Sequence, residues 1–317
     1  QSIFTPHQSP VTFVGLTGSG GYVSQVQGMY GGYPTPAGSL DIITDSDIFE
    51  RAQKQLPLPV SLEELELVRG NHESVYPSAA SRPLKAGDLY CVQYWGGGGS
   101  GDPIERDPEV IARELENERT HLETVENAYC VKIDPKTFGV DEAETKRLRE
   151  ERKKERLAKG VPGKEYVKAM VEKRKNKDLP EVVEAFLEEM TDFSEGFREE
   201  LAFEEEFAAS PDKKFPKEAR EELFKLTPYV SALKTDSGKR VLACTECGHI
   251  LCEAGENFKL YCLIYDRDPA EIYIRNRAPD KGWMVFREFY CPGCGVQMEV
   301  EGTPVATPIV HSYEVTI

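Results

Sequence analysis

No stretch of the 317-residue sequence approaches the roughly 20 consecutive apolar residues that a membrane-crossing helix needs, so no helical span and no membrane partner are expected. No basic segment followed by an apolar run opens the chain, so no secretory signal is expected either. Positive charge is in short supply: 39 Lys and Arg stand against 55 Asp and Glu, a formal net charge of −16. A nucleic-acid binder needs a basic face to displace counterions from phosphates, so no nucleic-acid partner is expected. The phosphate-cradling pattern G-x-x-x-x-G-K-[ST] is missing, as is the strand–glycines–helix spacing of a dinucleotide fold. There is no H-E-x-x-H and no Ser/His/Asp or paired-carboxylate arrangement, and His7, His72, His121 and His311 are isolated from one another. Cys91 and Cys130 have no base beside them that would activate a thiol. No catalytic residue and no cofactor-binding residue is therefore assigned to this chain.

What the sequence does have is eight cysteines, four of them in two pairs, Cys244-Thr245-Glu246-Cys247 and Cys291-Pro292-Gly293-Cys294. The C-x2-C spacing lets two thiolates grip one metal ion from a tight turn, and two such pairs supply the soft ligands of a tetrahedral zinc site. Cys244, Cys247, Cys291 and Cys294 are the expected ligands of one Zn2+. Gly248 and Gly295 follow the second cysteine of each pair, where glycine permits a positive φ and lets backbone N–H groups turn toward sulfur. Four thiolates fill a tetrahedron and leave no open position, so the zinc is expected to be structural. His249, Cys252 and Cys262 compete as ligands; the two cysteines lack a C-x2-C partner and are assigned to packing. Paired thiols in a chain this long favour a reduced, cytoplasmic protein over a disulfide framework.

The pattern is that of an α+β protein in three parts. Residues 1–140 form a Gly/Pro-rich β region with short strands such as Val11–Leu16 and Asp88–Trp95, ending in two short helices. The first helix opens at Asp107-Pro108-Glu109 and runs to about Asn117; Thr120-His121-Leu122-Glu123 reads as a capping box for the second. Residues 141–226 form a charged helical middle: a helix from Asp141 that Gly160 can end, another after Pro180, and others over Ser194–Ala208 and Pro216–Leu226. The run Arg147–Arg156 reads either as a solvated helix laced with ion pairs or as a linker helix lying along a partner subunit. Residues 227–317 form a C-terminal zinc-ribbon β domain with strands at Tyr229–Lys234, Arg240–Ala243, Lys259–Tyr265, Glu271–Arg275, Trp283–Tyr290 and Val296–Val300. In such a module metal replaces much of the core that a small β unit lacks. The run Gly96-Gly97-Gly98-Gly99-Ser100-Gly101 offers either an anion nest or a loop in close backbone contact, and the second reading is favoured.

Two segments carry family resemblances. Gly96 to Glu109, read as GGGGSGDPIERDPE, resembles the signature near the end of hydantoinase B/oxoprolinase-type subunits, with Tyr129-Cys130-Val131 standing where those have YGV. A cysteine thus occupies the place of a turn glycine. Gly31-Gly32-Tyr33-Pro34 and Lys85-Ala86-Gly87-Asp88 are compatible with the same subunit type, of which only the C-terminal part is expected here. From about residue 225 onward the sequence is similar to the small zinc-binding γ subunit of acetone carboxylase, through Cys244–His249, Glu256–Lys259, Tyr265–Pro269 and Trp283–Gly295. The resemblances imply a non-ATP-binding subunit of an ATP-dependent ketone carboxylase of the acetone or acetophenone class, making a β-keto acid from ketone and bicarbonate. They imply hydantoinase A-type ATP-binding partners, the remainder of a hydantoinase B-type subunit, and ATP and possibly a second divalent metal on those partners. The chain alone is expected to be inactive. Alternatives are a subunit of an ATP-dependent cyclic amide hydrolase and a non-enzymatic zinc-ribbon interaction module.

Overall fold

Alternation along β3 (Ser39–Thr44) and β6 (Leu89–Gln93) divides apolar side chains between two faces of one sheet. Leu40, Ile42, Tyr90 and Val92 point one way, and Ile43, Leu89 and Cys91 the other. That period-2 split buries the sheet on both sides. The computed structural model describes residues 2–6, 11–14, 24, 26–61, 63–75, 81–93, 96–218, 221–273, 278–279 and 282–313. Within them β1 (Ser2–Phe4), β6, β3 and β4 (Asn71–Val75) form an antiparallel sheet in the order β1-β6-β3-β4. α1 (Ile48–Gln53) sends Ile48 onto one face, and β2 (Val11–Val14) pairs with β5 (Ser81–Leu84). The expected strand ends at Leu16 and Trp95 lie outside the described residues.

α2 (Pro108–Glu116) starts as expected: the Asp107 carboxylate accepts from the Glu109 amide, and Asn117 closes the helix. The Thr120 capping box does not form. The N-cap of α3 (Leu122–Thr124) is His121, without a side-chain cap bond, and the chain continues as a π turn over Val125–Tyr129. That turn ends at Cys130 in the left-handed region, φ 51° and ψ 48°.

α4 (Glu142–Lys159) is capped by Asp141, whose side chain accepts from the Glu144 amide, and ends at Gly160. Gly160 is not left-handed (φ −65°); it is there because a Cβ would lie 2.6 Å from the Leu263 Cβ. α5 (Gly163–Asn176), α6 (Glu181–Phe193) and α7 (Glu195–Ala209) follow. Among the described residues no helix is long and apolar enough to cross a membrane.

The helix expected over Pro216–Leu226 is not formed; β8 (Glu221–Thr227) runs there instead. Leu223, Leu226 and Thr227 have helical spacing, which misleads a periodicity argument. The pairing of β8 with β9 (Val230–Lys234) shifts register between Glu222 and Phe224 and again between Lys225 and Thr227. Each shift carries one extra residue, so Leu223 and Leu226 both reach the core from a strand. β8, β9, β10 (Arg240–Cys244) and β11 (Ile250–Glu253) make one antiparallel sheet. β7 (Val161–Pro162), β12 (Leu263–Arg267), β13 (Met284–Tyr290) and β14 (Gln297–Pro304) make another. The first half of the strand expected at Lys259–Tyr265 is a 3-10 turn, Phe258–Tyr261, capped by Asn257. Pro269–Glu271 is a second such turn where a strand was expected to begin at Glu271; residues 274 and 275 lie outside the described residues. The largest core joins Tyr166, Val167, Met170 and Val171 of α5 to both C-terminal sheets.

Candidate metal centre and the polar network beneath it

The two cysteine pairs sit on turns built alike. Each joins two antiparallel strands, β10 to β11 and β13 to β14, and each pairing shifts register just before the first cysteine. In the first turn the Cys244 amide donates to the His249 carbonyl and the Gly248 amide to the Cys244 carbonyl, both at 2.9 Å. In the second, Cys291 donates to Val296 at 3.0 Å and Gly295 to Cys291 at 2.9 Å. Gly248 and Gly295 have φ of 73° and 74°, the conformation that closes each turn.

This duplication brings four sulfurs together, all within 4.8 Å of one another. Cys244 and Cys294 Sγ are 3.8 Å apart and Cys247 and Cys291 Sγ 3.6 Å. A tetrahedron of sulfurs at a Zn–S distance of about 2.3 Å has edges of about 3.8 Å, so the donor set fits such an ion. The Gly293 amide donates to Cys291 Sγ at 3.3 Å. Hydrogen bonding from Cys244 and Cys291 pulls the Cys294 thiol far down, while Cys244 and Cys294 push Cys291 up. Crowded thiols that share protons in this way are relieved when a cation replaces the protons. Cys244 and Cys291 are buried, Cys294 is half-buried and Cys247 is exposed. His249 is not part of the cluster, and no other group of His, Cys, Asp or Glu converges in this way among the described residues. Cys252 and Cys262 pack in the core, where burial pushes both thiols up.

Below the second turn lies a network that sequence reasoning did not find. Arg156 of α4 places Nη1 and Nη2 at 2.7 and 2.9 Å from the Asp102 carboxylate, and Nη1 also donates to the Gly295 carbonyl at 3.2 Å. The Asp102 carboxylate further accepts from the Gln297 amide at 3.0 Å and the Ile104 amide at 3.2 Å. The Arg156 guanidinium lies 5.3 Å from the centre of the Tyr290 ring. The Tyr290 hydroxyl donates to Glu288, which also accepts from Arg267 Nε at 2.7 Å and from the Tyr33 hydroxyl at 2.5 Å. Burial works against the charge on Arg156 and Arg267, but Asp102 and Glu288 outweigh it and hold both guanidiniums protonated.

α4 therefore buries a polar stripe. Thr145, Arg149 and Arg156 recur at helical spacing: Thr145 Oγ1 accepts from the Lys132 amide at 3.0 Å, and Arg149 donates to the Arg106 carbonyl at 2.6 Å. The opposite face does carry the expected solvated ion pairs, Arg147 with Glu144 and Glu151. Nothing local distinguishes Arg156 from its charged neighbours; the available signal was the aspartate of the Gly101-Asp102-Pro103 segment, which needs a cation if buried.

The glycine run is used for close approach. A Cβ on Gly98 would fall 2.2 Å from the Gln27 carbonyl oxygen, and one on Gly32 2.2 Å from the Gly99 carbonyl carbon. The Gly99 amide donates to the Tyr33 carbonyl at 2.8 Å. Gly96 and Gly97 face open space.

Paired C-x2-C-G turns on β hairpins define a zinc-ribbon-like module whose sulfurs are compatible with a structural metal such as zinc. Residues 223–317 match the family model of the acetone carboxylase gamma subunit. The chain is homologous to subunits of acetone and acetophenone carboxylases. It is 42% identical over 80 residues to the acetophenone carboxylase beta subunit of Aromatoleum aromaticum, covering 23% of this chain and 62% of the relative. It is 34% identical over 92 residues to the acetone carboxylase gamma subunit of Xanthobacter autotrophicus, covering 28% of this chain and 55% of the relative. A further alignment, 28% identical over 171 residues, is with the acetone carboxylase alpha subunit of the same organism, covering 50% of this chain and 22% of the relative. The chain thus spans between about half and three-fifths of the small subunits it matches and about a fifth of the large one.

Proposed function

We propose that this chain is the zinc-binding, non-ATP-binding component of a multisubunit ATP-dependent ketone carboxylase. The assembly would convert an acetone- or acetophenone-class ketone and bicarbonate into a β-keto acid. The observation that carries this reading is the coincidence of the four-cysteine cluster with the segment that matches the acetone carboxylase gamma subunit. Cys244, Cys247, Cys291 and Cys294 would hold one structural Zn2+, the ion tying two hairpin turns together with no position left for substrate. Residues 1–140, 141–226 and 227–317 would act as three sections of one docking subunit. Its partners would be hydantoinase A-type ATP-binding subunits and the remainder of a hydantoinase B-type subunit in the cytoplasm. The closed set of four sulfurs supports a structural role for the metal, and the chemistry would fall to the partners.

The test is to isolate the native complex and assay it with ATP, bicarbonate and acetone or acetophenone. Bicarbonate-dependent formation of a β-keto acid is expected. Bicarbonate-independent cleavage of a cyclic amide would replace this reading with an amide hydrolase, and copurification without any large ATP-binding subunit would overturn both.

A further inference from the structure

The network around Asp102 and Glu288 joins the sequence before residue 140 to the segment that matches the gamma subunit, and the relatives of this chain include separate polypeptides. One relative is an acetone carboxylase gamma subunit and another is the alpha subunit of the same organism. The alpha-type alignment covers half of this chain, more than residues 223–317 contain, so it reaches into the sequence before them.

The described contacts between the two parts are of the kind that separate subunits make. No sheet among the described residues combines a strand from before residue 100 with one from after residue 160. Instead, side chains and loops interlock. Asp102 is gripped by Arg156 and the Gln297 amide, and its own amide donates to the Tyr229 hydroxyl at 2.9 Å. Gln27 and Gly302 exchange two hydrogen bonds, at 2.7 and 2.8 Å. Gln297 Nε2 donates to the Gly31 carbonyl at 2.7 Å, and the Tyr273 hydroxyl to the Pro34 carbonyl at 2.5 Å. Gly31 has no room for a side chain, since a Cβ would sit 2.2 Å from the Gln297 carbonyl oxygen. Tyr33 and Ala128 share one apolar cluster with Ile272, Phe286 and Val300. This is an interface with an apolar centre, desolvated charges and shape fit. The covalent crossing is an exposed turn, Asp134–Gly139, held by short local hydrogen bonds.

We propose that this chain is a fusion of two units that recognise each other as subunits do. The part after the Asp134–Gly139 turn, which ends in the gamma-type segment, carries a preformed socket, with Arg156 of α4 and Arg267, Glu288 and the edge of β14 from the gamma-type segment as its walls. The occupant is the Gly31-Gly32-Tyr33-Pro34 and Gly101-Asp102 segments of an alpha-type carboxylase subunit. The socket, and not the peptide link, holds the two together. This inference does not depend on which ketone the assembly carboxylates.

The test cuts the link in the full-length chain. A protease recognition sequence is inserted in the Asp134–Gly139 turn, the protein is folded and cleaved, and association of the two pieces is followed by size exclusion and sedimentation on dilution. The cleaved pieces are expected to travel together at micromolar concentration. Asp102→Ala, introduced before cleavage, is expected to weaken association by at least about 100-fold, because it leaves Arg156 buried and unpaired. Gln27→Ala, at the edge of the contact, is expected to weaken it roughly 5- to 20-fold through two neutral hydrogen bonds, and serves if Asp102→Ala does not fold. Separation of the unmutated pieces at micromolar concentration overturns the proposal. So does a dissociation constant that neither substitution changes.

Discussion

Asp102 and Arg156, 54 positions apart, form a two-pronged ion pair with side chains 0% and 2% exposed. It joins the Gly101-Asp102-Pro103 segment to the carbonyl of Gly295 in the second cysteine turn. A buried pair of this kind contributes little over an apolar substitute, but breaking it strands a charge. Asp102→Ala is expected to cost roughly 3–5 kcal/mol in urea unfolding. The double variant Asp102→Ala/Arg156→Met is expected to cost clearly less than the two single changes together. Additive losses would mean that the two residues do not act as a pair.

Metal analysis of freshly purified protein should find about one zinc per chain. Cys291→Ser should abolish tight binding and unfold the C-terminal hairpins, and chelator should do the same to the unmutated protein. A preparation that is folded and metal-free at neutral pH would rule out the zinc assignment.

The two knuckle glycines should respond unequally. Both have positive φ, so alanine at either adds strain of about 1 kcal/mol. A Cβ on Gly248 meets open space, whereas one on Gly295 would lie 2.8 Å from the Lys153 carbonyl oxygen of α4. Gly295→Ala is therefore expected to cost about 2–3 kcal/mol and Gly248→Ala about 1. Equal shifts in the unfolding midpoint would contradict the close approach of turn and helix.

Cys130 is buried and left-handed, a conformation that favours glycine. Cys130→Gly relieves strain of about 1 kcal/mol and loses a similar amount of burial, so it should change stability by less than about 1 kcal/mol. Cys130→Val forces a β-branched residue into that conformation and should cost more than about 2 kcal/mol. Thermal unfolding of the two variants separates these outcomes; a valine variant as stable as the glycine one would show that the turn is not left-handed.

Burial pushes the Glu299 carboxyl up to about 7, against the opposing pull of Lys259 and with help from Glu301. Because the folded value lies above the unfolded one, the folded state binds the proton more tightly. Its contribution is full below the unfolded value of about 4.5 and is lost as pH rises through about 7. The stability difference between the unmutated protein and Glu299→Gln should change by roughly 1–3 kcal/mol across that window, to the disadvantage of the unmutated protein at high pH. A difference that is flat from about pH 4.5 to 8 would refute this.

Local chemistry was legible wherever it is complete within a few residues. Asp107 caps the helix that follows it, as expected, and Asp141 and Ser194, expected as helix starts, are the caps of theirs. β8 was misread because two register shifts give a strand the spacing of a helix. Thr120 was misread because the helix after it takes His121, not Thr120, as its N-cap and passes into a π turn after one turn.

By itself the sequence determined the acidic charge, and it determined the two C-x2-C-G turns and the Asp107 cap, since these depend on bonds among near neighbours. Only tertiary structure decided that the four sulfurs converge, that Arg156 leaves its solvated run to meet Asp102, and that the glycine segments lie against β14. Those facts depend on which surfaces are dehydrated together. A buried carboxylate and a buried guanidinium far apart in sequence select one another because, without water, neither is stable alone.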